Sequence, residues 1–201
     1  MKNLFAATAF ATILIVGFAP LASAAPITFD AVLAGSNEFP SNASPGTGFA
    51  LVTIDTVTNL MTVNITFSGL TSPSTAAHIH CCLPSPLLAA TNVGVATEMP
   101  AFPNFPLGAT SGTDNAILDM SMASSYNPAF VTAHGGTASG AEAALFAGIE
   151  NEETYLNIHT VNFGGGEIRG FLVPVPEPVT WTLFGAGLAG AIAMRRRKAK
   201  A

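Results

Sequence analysis

Between residues 27 and 79 apolar and polar positions alternate with a period of two, the pattern of strands that bury one face. The spacing predicts strands over 27–33, 49–55, 60–67 and 76–80. Gly35, Asn37, Pro40, Asn42, Pro45 and Gly46 make 35–48 a turn-rich connection, Asn59 marks a hairpin, and Gly69 closes the third strand. Residues 81–112 break the alternation with Pro84, Pro86, Pro100, Pro103 and Pro106, and predict an irregular segment held on the body by Phe102 and Phe105. A further strand is expected over 115–122. Pro128 then suits the first turn of a helix. A second helix over 139–149 places Ala141, Ala144, Leu145 and Gly148 at helical spacing.

The last stretch of the body, 155–171, reads as two strands and a glycine turn. Tyr155, Asn157 and His159 alternate with Leu156, Ile158 and Thr160, and Gly164, Gly165 and Gly166 let the chain reverse. Glu167, Arg169 and Phe171 then share one face of the return strand, with Glu167 and Arg169 expected as a structural clamp. Short strands at this spacing, with one or two short helices before the last pair, predict a mainly β, antiparallel sandwich or barrel.

Both ends fall outside that pattern. Lys2, an apolar run over 4–21 and Ala22-Ser23-Ala24 make residues 1–24 a secretory signal peptide, so the mature chain starts near Ala25. At the other end Pro176-Glu177-Pro178 precedes an apolar run over 179–194 and then Arg195, Arg196, Arg197, Lys198 and Lys200. That run as a helix spans about 24 Å, short against a bilayer core of about 30 Å. Its glycines, Gly185, Gly187 and Gly190, suit a temporary membrane helix better than a durable anchor.

Removing these ends changes the charge. The whole chain carries a formal −5, but six of its seven basic residues lie in the leader and tail, and eleven of its twelve acids lie in the body. The body therefore carries about −10, with Arg169 its only Lys or Arg. Such a surface does not suit nucleic acid, which is bound through clustered Lys and Arg.

Candidate chemistry concentrates at His78-Ile79-His80. Residues two apart on a strand point the same way, so both imidazoles project from one face and suit a shared copper or zinc ion. His159 is available as a third ligand. Buried imidazoles bonded to backbone also serve purely to fix strand register. Cys81 and Cys82 follow directly and leave three readings: a disulfide, free thiols, or soft metal ligands beside the histidines. Asp114, Asp119 and the serines fall in no nucleophile-elbow sequence, and the glycines at 164–166 follow no dinucleotide-binding pattern. No catalytic residues are assigned.

The order of motif, apolar helix and basic end at 174–201 closely resembles the PEP-CTERM sorting signal of exopolysaccharide-producing bacteria. The resemblance implies that an exosortase recognises Pro176, Glu177 and Pro178 and removes the tail. The body resembles the CHRD domain, on the stretch FDAVLAGSNEFP at 29–40, Ser68-Gly69-Leu70, AAHIH at 76–80, YLNIHT at 155–160 and GGEIRG at 165–170. It departs from that pattern at Cys81-Cys82, where the family carries a glycine after the second histidine.

The CHRD resemblance implies a β-sandwich-like domain over 25–173, taken as Greek-key-like, with no established enzymatic activity and no required cofactor. Together the two resemblances imply an exported, non-enzymatic structural or adhesive protein of the cell surface or extracellular matrix. Its expected partners are the exosortase and exopolysaccharide or matrix components, and the tail helix anchors it transiently in the inner membrane. The alternative is an extracytoplasmic copper- or zinc-binding protein using His78, His80, His159, Cys81 and Cys82.

Overall fold

The computed structural model describes residues 25–83 and 91–176; the expected signal peptide, the apolar tail, Glu177 and Pro178 lie outside them. The strands are β1 (Ile27–Ala34), β2 (Thr47–Asp55), β3 (Leu60–Ser68), β4 (Ser74–His80), β5 (Gly112–Asp119), β6 (Tyr155–Thr160), β7 (Ile168–Phe171) and β8 (Val173–Pro174). Two helices, α1 (Pro128–Ala133) and α2 (Ala138–Glu150), precede the last three strands. The fold is mainly β and antiparallel, as the alternation requires. Hydrogen bonding runs through all eight strands as one curled sheet, in the order β4-β6-β7-β1-β2-β3-β5 with β8 beside β1.

Strands β1, β2, β3 and β5 behave as half-buried strands should. Phe29, Ala31 and Leu33 of β1 face inward with Ala50, Val52 and Ile54 of β2 and Met61, Val63 and Ile65 of β3. The residues between them face out. At the β2–β3 turn Asp55 accepts hydrogen bonds from the backbone of Val57 and Thr58, and Asn59 takes the left-handed conformation that reverses the chain. β4 departs from sequence order, crossing to the far edge of the sheet, where it pairs with β6 on one side and is bridged by Val95 and Ala101 on the other.

Residues 91–111, after β4, pack onto the body. Phe102 and Phe105 are buried, and Phe105 stacks on Phe67 with ring centroids 5.3 Å apart. Asn127 caps α1 by accepting from Ala129, one residue before Pro128, and Thr137 caps α2 by accepting from Gly140. Ala141, Leu145 and Ile149 of α2 join one continuous core drawn from β1 to β7.

Gly148 lies where α2 meets the end of β4. A Cβ there would sit 2.5 Å from the Cys81 Sγ and 2.8 Å from the Cys82 Sγ, closer than packed atoms tolerate. The α-helix gains from alanine elsewhere, so Gly148→Ala sets propensity against overpacking, and overpacking wins. The expected loss is about 1–3 kcal/mol in chemical denaturation. An unchanged or raised stability would mean that the helix is free to shift away.

Candidate metal centre

The site follows from strand register. His78 lies opposite Asn157, His80 opposite Tyr155, and Ala76 opposite His159; on the next strand Asn157 faces Arg169 and Tyr155 faces Phe171. One face of the β4-β6-β7 corner thus carries His78, His80, Tyr155, Asn157, His159 and Arg169. The other sends Ala77, Ile79, Leu156, Ile158 and Ile168 into the core. A polar strand face normally meets water. Here it is buried, because the β1–β2 connection, residues 91–97 and the β6–β7 turn close over it.

Three imidazoles gather under that cover. His78, His80 and His159 are 2%, 8% and 9% exposed, and one ligating nitrogen from each lies within 4.8 Å of the others. The His78 ring centroid is 4.8 Å from that of His80 and 4.7 Å from that of His159. The Nδ1 of His80 donates to the Val93 carbonyl (2.7 Å) and the Nδ1 of His159 to the Gly164 carbonyl (2.9 Å). A carbonyl only accepts, so the proton sits on Nδ1 and the Nε2 lone pair is left over. Both Nε2 atoms, and the Nδ1 of His78, are buried without a hydrogen-bond partner. Burial, followed by the neighbouring imidazoles, pushes His78 down to about 3. Burial pushes His80 down to about 4 and also lowers His159. All three are neutral at pH 7, the state in which imidazole ligates.

This donor set fits a transition metal. Bonds of about 2.0–2.1 Å in a tetrahedral arrangement need nitrogens about 3.3 Å apart, and the three ligating atoms here lie within 4.8 Å of one another. Uncharged imidazoles suit zinc or copper. The carbonyls of Val93 and Gly164 would act as the outer supports that fix ligand tautomer and aim.

The other sequence candidates are placed differently. Cys81 and Cys82 are joined as a disulfide against α2, with the Cys82 Sγ 3.8 Å from the Ala144 carbonyl, and they lie outside the imidazole cluster. His134 ends α1 and donates to the Phe130 carbonyl, also outside the cluster. The expected pairing of Arg169 with Glu167 is corrected. Arg169 Nε lies 3.9 Å from the carboxylate of Glu38, a residue of the β1–β2 connection. Arg169 also donates to the carbonyls of Asn37 and Thr91 and to Asn92 Oδ1. Its guanidinium lies 4.6 Å from the Tyr155 ring centroid, and Tyr155 in turn stacks on His80 at 4.6 Å.

Glu167 has a different task. Its carboxylate accepts from the Ser44 hydroxyl (2.6 Å), the Thr160 hydroxyl (2.6 Å) and the Thr71 N–H (2.7 Å). Burial works to raise it, but these bonds outweigh burial and hold it lowered. Gly166, at φ +126°, lets the turn pass so close that a Cβ would lie 2.5–2.7 Å from Asn157 and Glu38. Sequence reasoning missed Glu38 and Asn157 as members of this layer. Glu38 stands in the stretch that carries the family resemblance, and Asn157 on the same strand face as His159.

A family model for the CHRD domain matches residues 29–172, and one for the PEP-CTERM protein-sorting motif matches 174–198. The chain belongs to the CHRD domain family, and its tail makes it an exported protein of the cell envelope processed by exosortase. No curated protein and no solved structure matches it significantly. Among the described residues no helix is long and apolar enough to cross a membrane.

Glu38 gives the layer a pH signature. Burial raises its carboxyl from 4.5 to about 7, against the opposing pull of Arg169 and Asn157. A raised carboxyl contributes stability that is full below its unfolded value and lost as pH rises through the folded one. Wild-type stability minus that of Glu38→Gln should therefore fall between about pH 4.5 and pH 7. Parallel denaturation curves at each pH measure this, and a difference that rises or stays flat would refute the assignment.

Proposed function

We propose that this is an exported, non-enzymatic envelope protein whose CHRD domain holds one zinc or copper ion through His78, His80 and His159. The observation that carries the reading is three neutral imidazoles with unpartnered ring nitrogens converging in one buried place. Leaving such nitrogens unsatisfied costs free energy, and a metal ion repays it. Cys81 and Cys82, bonded to each other, are not needed as ligands. The burial of all three histidines favours an ion that braces the strands over one that turns over substrate. A structural or adhesive role at the surface or in the extracellular matrix follows from that preference and from the sorting tail.

Metal content tests the first part. The full chain, purified without a His tag from medium containing zinc and copper, should carry about one ion per molecule by mass spectrometry. His78→Ala with His80→Ala should abolish it while circular dichroism still reports a β fold. Adding metal at about a hundred times its Kd should stabilise the wild type by about 2.7 kcal/mol. Metal retained in the double variant, or absent from the wild type, would refute the site.

Delivery is tested separately. Replacing Pro176, Glu177 and Pro178 together should block tail removal and leave a larger, membrane-associated form on immunoblots. Unchanged processing would count against the motif.

A further inference from the structure

The opposite flank of the sheet carries a second feature. An open groove of about 550 Å³ runs over the outward face of β2, β3 and β5. Register arranges its lining in two cross-strand rows: Phe49 beside Thr66 and Thr113, then Leu51 beside Asn64 and Asn115. Rows on one face of a strand repeat about every 6.6 Å, comparable to one sugar ring. Phe49 is 41% exposed, so an aromatic face stands open at one side of a polar ladder.

The polar groups are unevenly used. Asn115 Nδ2 donates to Asn64 Oδ1, which leaves a donor on Asn64 and an acceptor on Asn115 side by side. Asp114, between Thr113 and Asn115 on β5, faces inward beside Ile65 and takes no part in this ladder.

We propose that this groove binds a neutral oligosaccharide, with one ring stacked on Phe49 and its hydroxyls bonded to Asn64 and Asn115. Sugar hydroxyls both donate and accept, which matches the mixed ladder, and the C–H face of a pyranose matches an open aromatic ring. Charge selects among polymers. The body carries about −10, and its one Lys or Arg side chain, Arg169, is buried on the other flank, so an anionic polymer would meet repulsion without a compensating cation. The inference names a ligand for the adhesive surface and does not depend on the metal.

The test is calorimetry of the full chain, in a sugar-free detergent, against xylohexaose, cellohexaose, maltohexaose, N-acetylchitohexaose and hexagalacturonate. At least one neutral hexamer should bind saturably. Phe49→Ala and Asn115→Ala, both surface changes, should each weaken that binding about tenfold with the thermal midpoint and metal content unchanged. Binding of hexagalacturonate alone, binding of none, or binding that survives Phe49→Ala would overturn the proposal. So would sedimentation showing that Phe49→Ala splits a dimer, since a second copy would then own the face. Metal counted on the same samples separates this failure from failure of the imidazole site.

Discussion

A guanidinium removed from water must be solvated by protein, and the arrangement of this domain around Arg169 follows from that requirement. No single neighbour supplies it. The carbonyls of Asn37 and Thr91, the amide of Asn92 and the carboxylate of Glu38 converge from two connections, while Tyr155 and Phe171 flank the charge with ring faces. Each bond to Arg169 is also a fastening of the cover over β4, β6 and β7. Residue Val93, next to Asn92, accepts from His80 and donates to the Tyr155 hydroxyl, so the segment that solvates the cation also orients an imidazole.

That cover changes what the histidines are. In water an imidazole near its ordinary value would be partly charged, and three together would repel. Under the loops burial keeps them neutral, and the two carbonyl bonds leave the Nε2 atoms of His80 and His159 bare. The cost of burying these polar groups is borne by the Arg169 layer and by the continuous apolar core on the reverse of the same strands. Two unlike interiors, one apolar and one polar, therefore share β4 and β6.

Much of this was legible beforehand. Alternation located seven strands to within a few residues, and the helices at Pro128 and near Ser139 were signalled by proline and helical spacing. That His78 and His80 share a face followed from a period of two, and the fold brings a ring nitrogen of His159 within 4.8 Å of theirs. What alternation did not disclose was the burial of a polar face. Tyr155, Asn157 and His159 alternate as a solvated face would, yet every residue of β6 is buried, because loops distant in sequence cap it. For the same reason Arg169 was matched to Glu167, its neighbour along the strand, when its carboxylate partner is Glu38 on a remote connection. Local pattern records which way a side chain points; it does not record what arrives to meet it.

The burial of Arg169 has one more consequence, at the scale of many molecules. The body's only Lys or Arg side chain is withdrawn, so what it presents outward is anionic or neutral. Copies crowded on a cell envelope would behave as like-charged colloids, held apart over roughly a Debye length, about 8 Å at physiological salt. Spacing within such a layer becomes a function of ionic strength, and divalent cations in the surroundings become the agents that draw neighbouring molecules together.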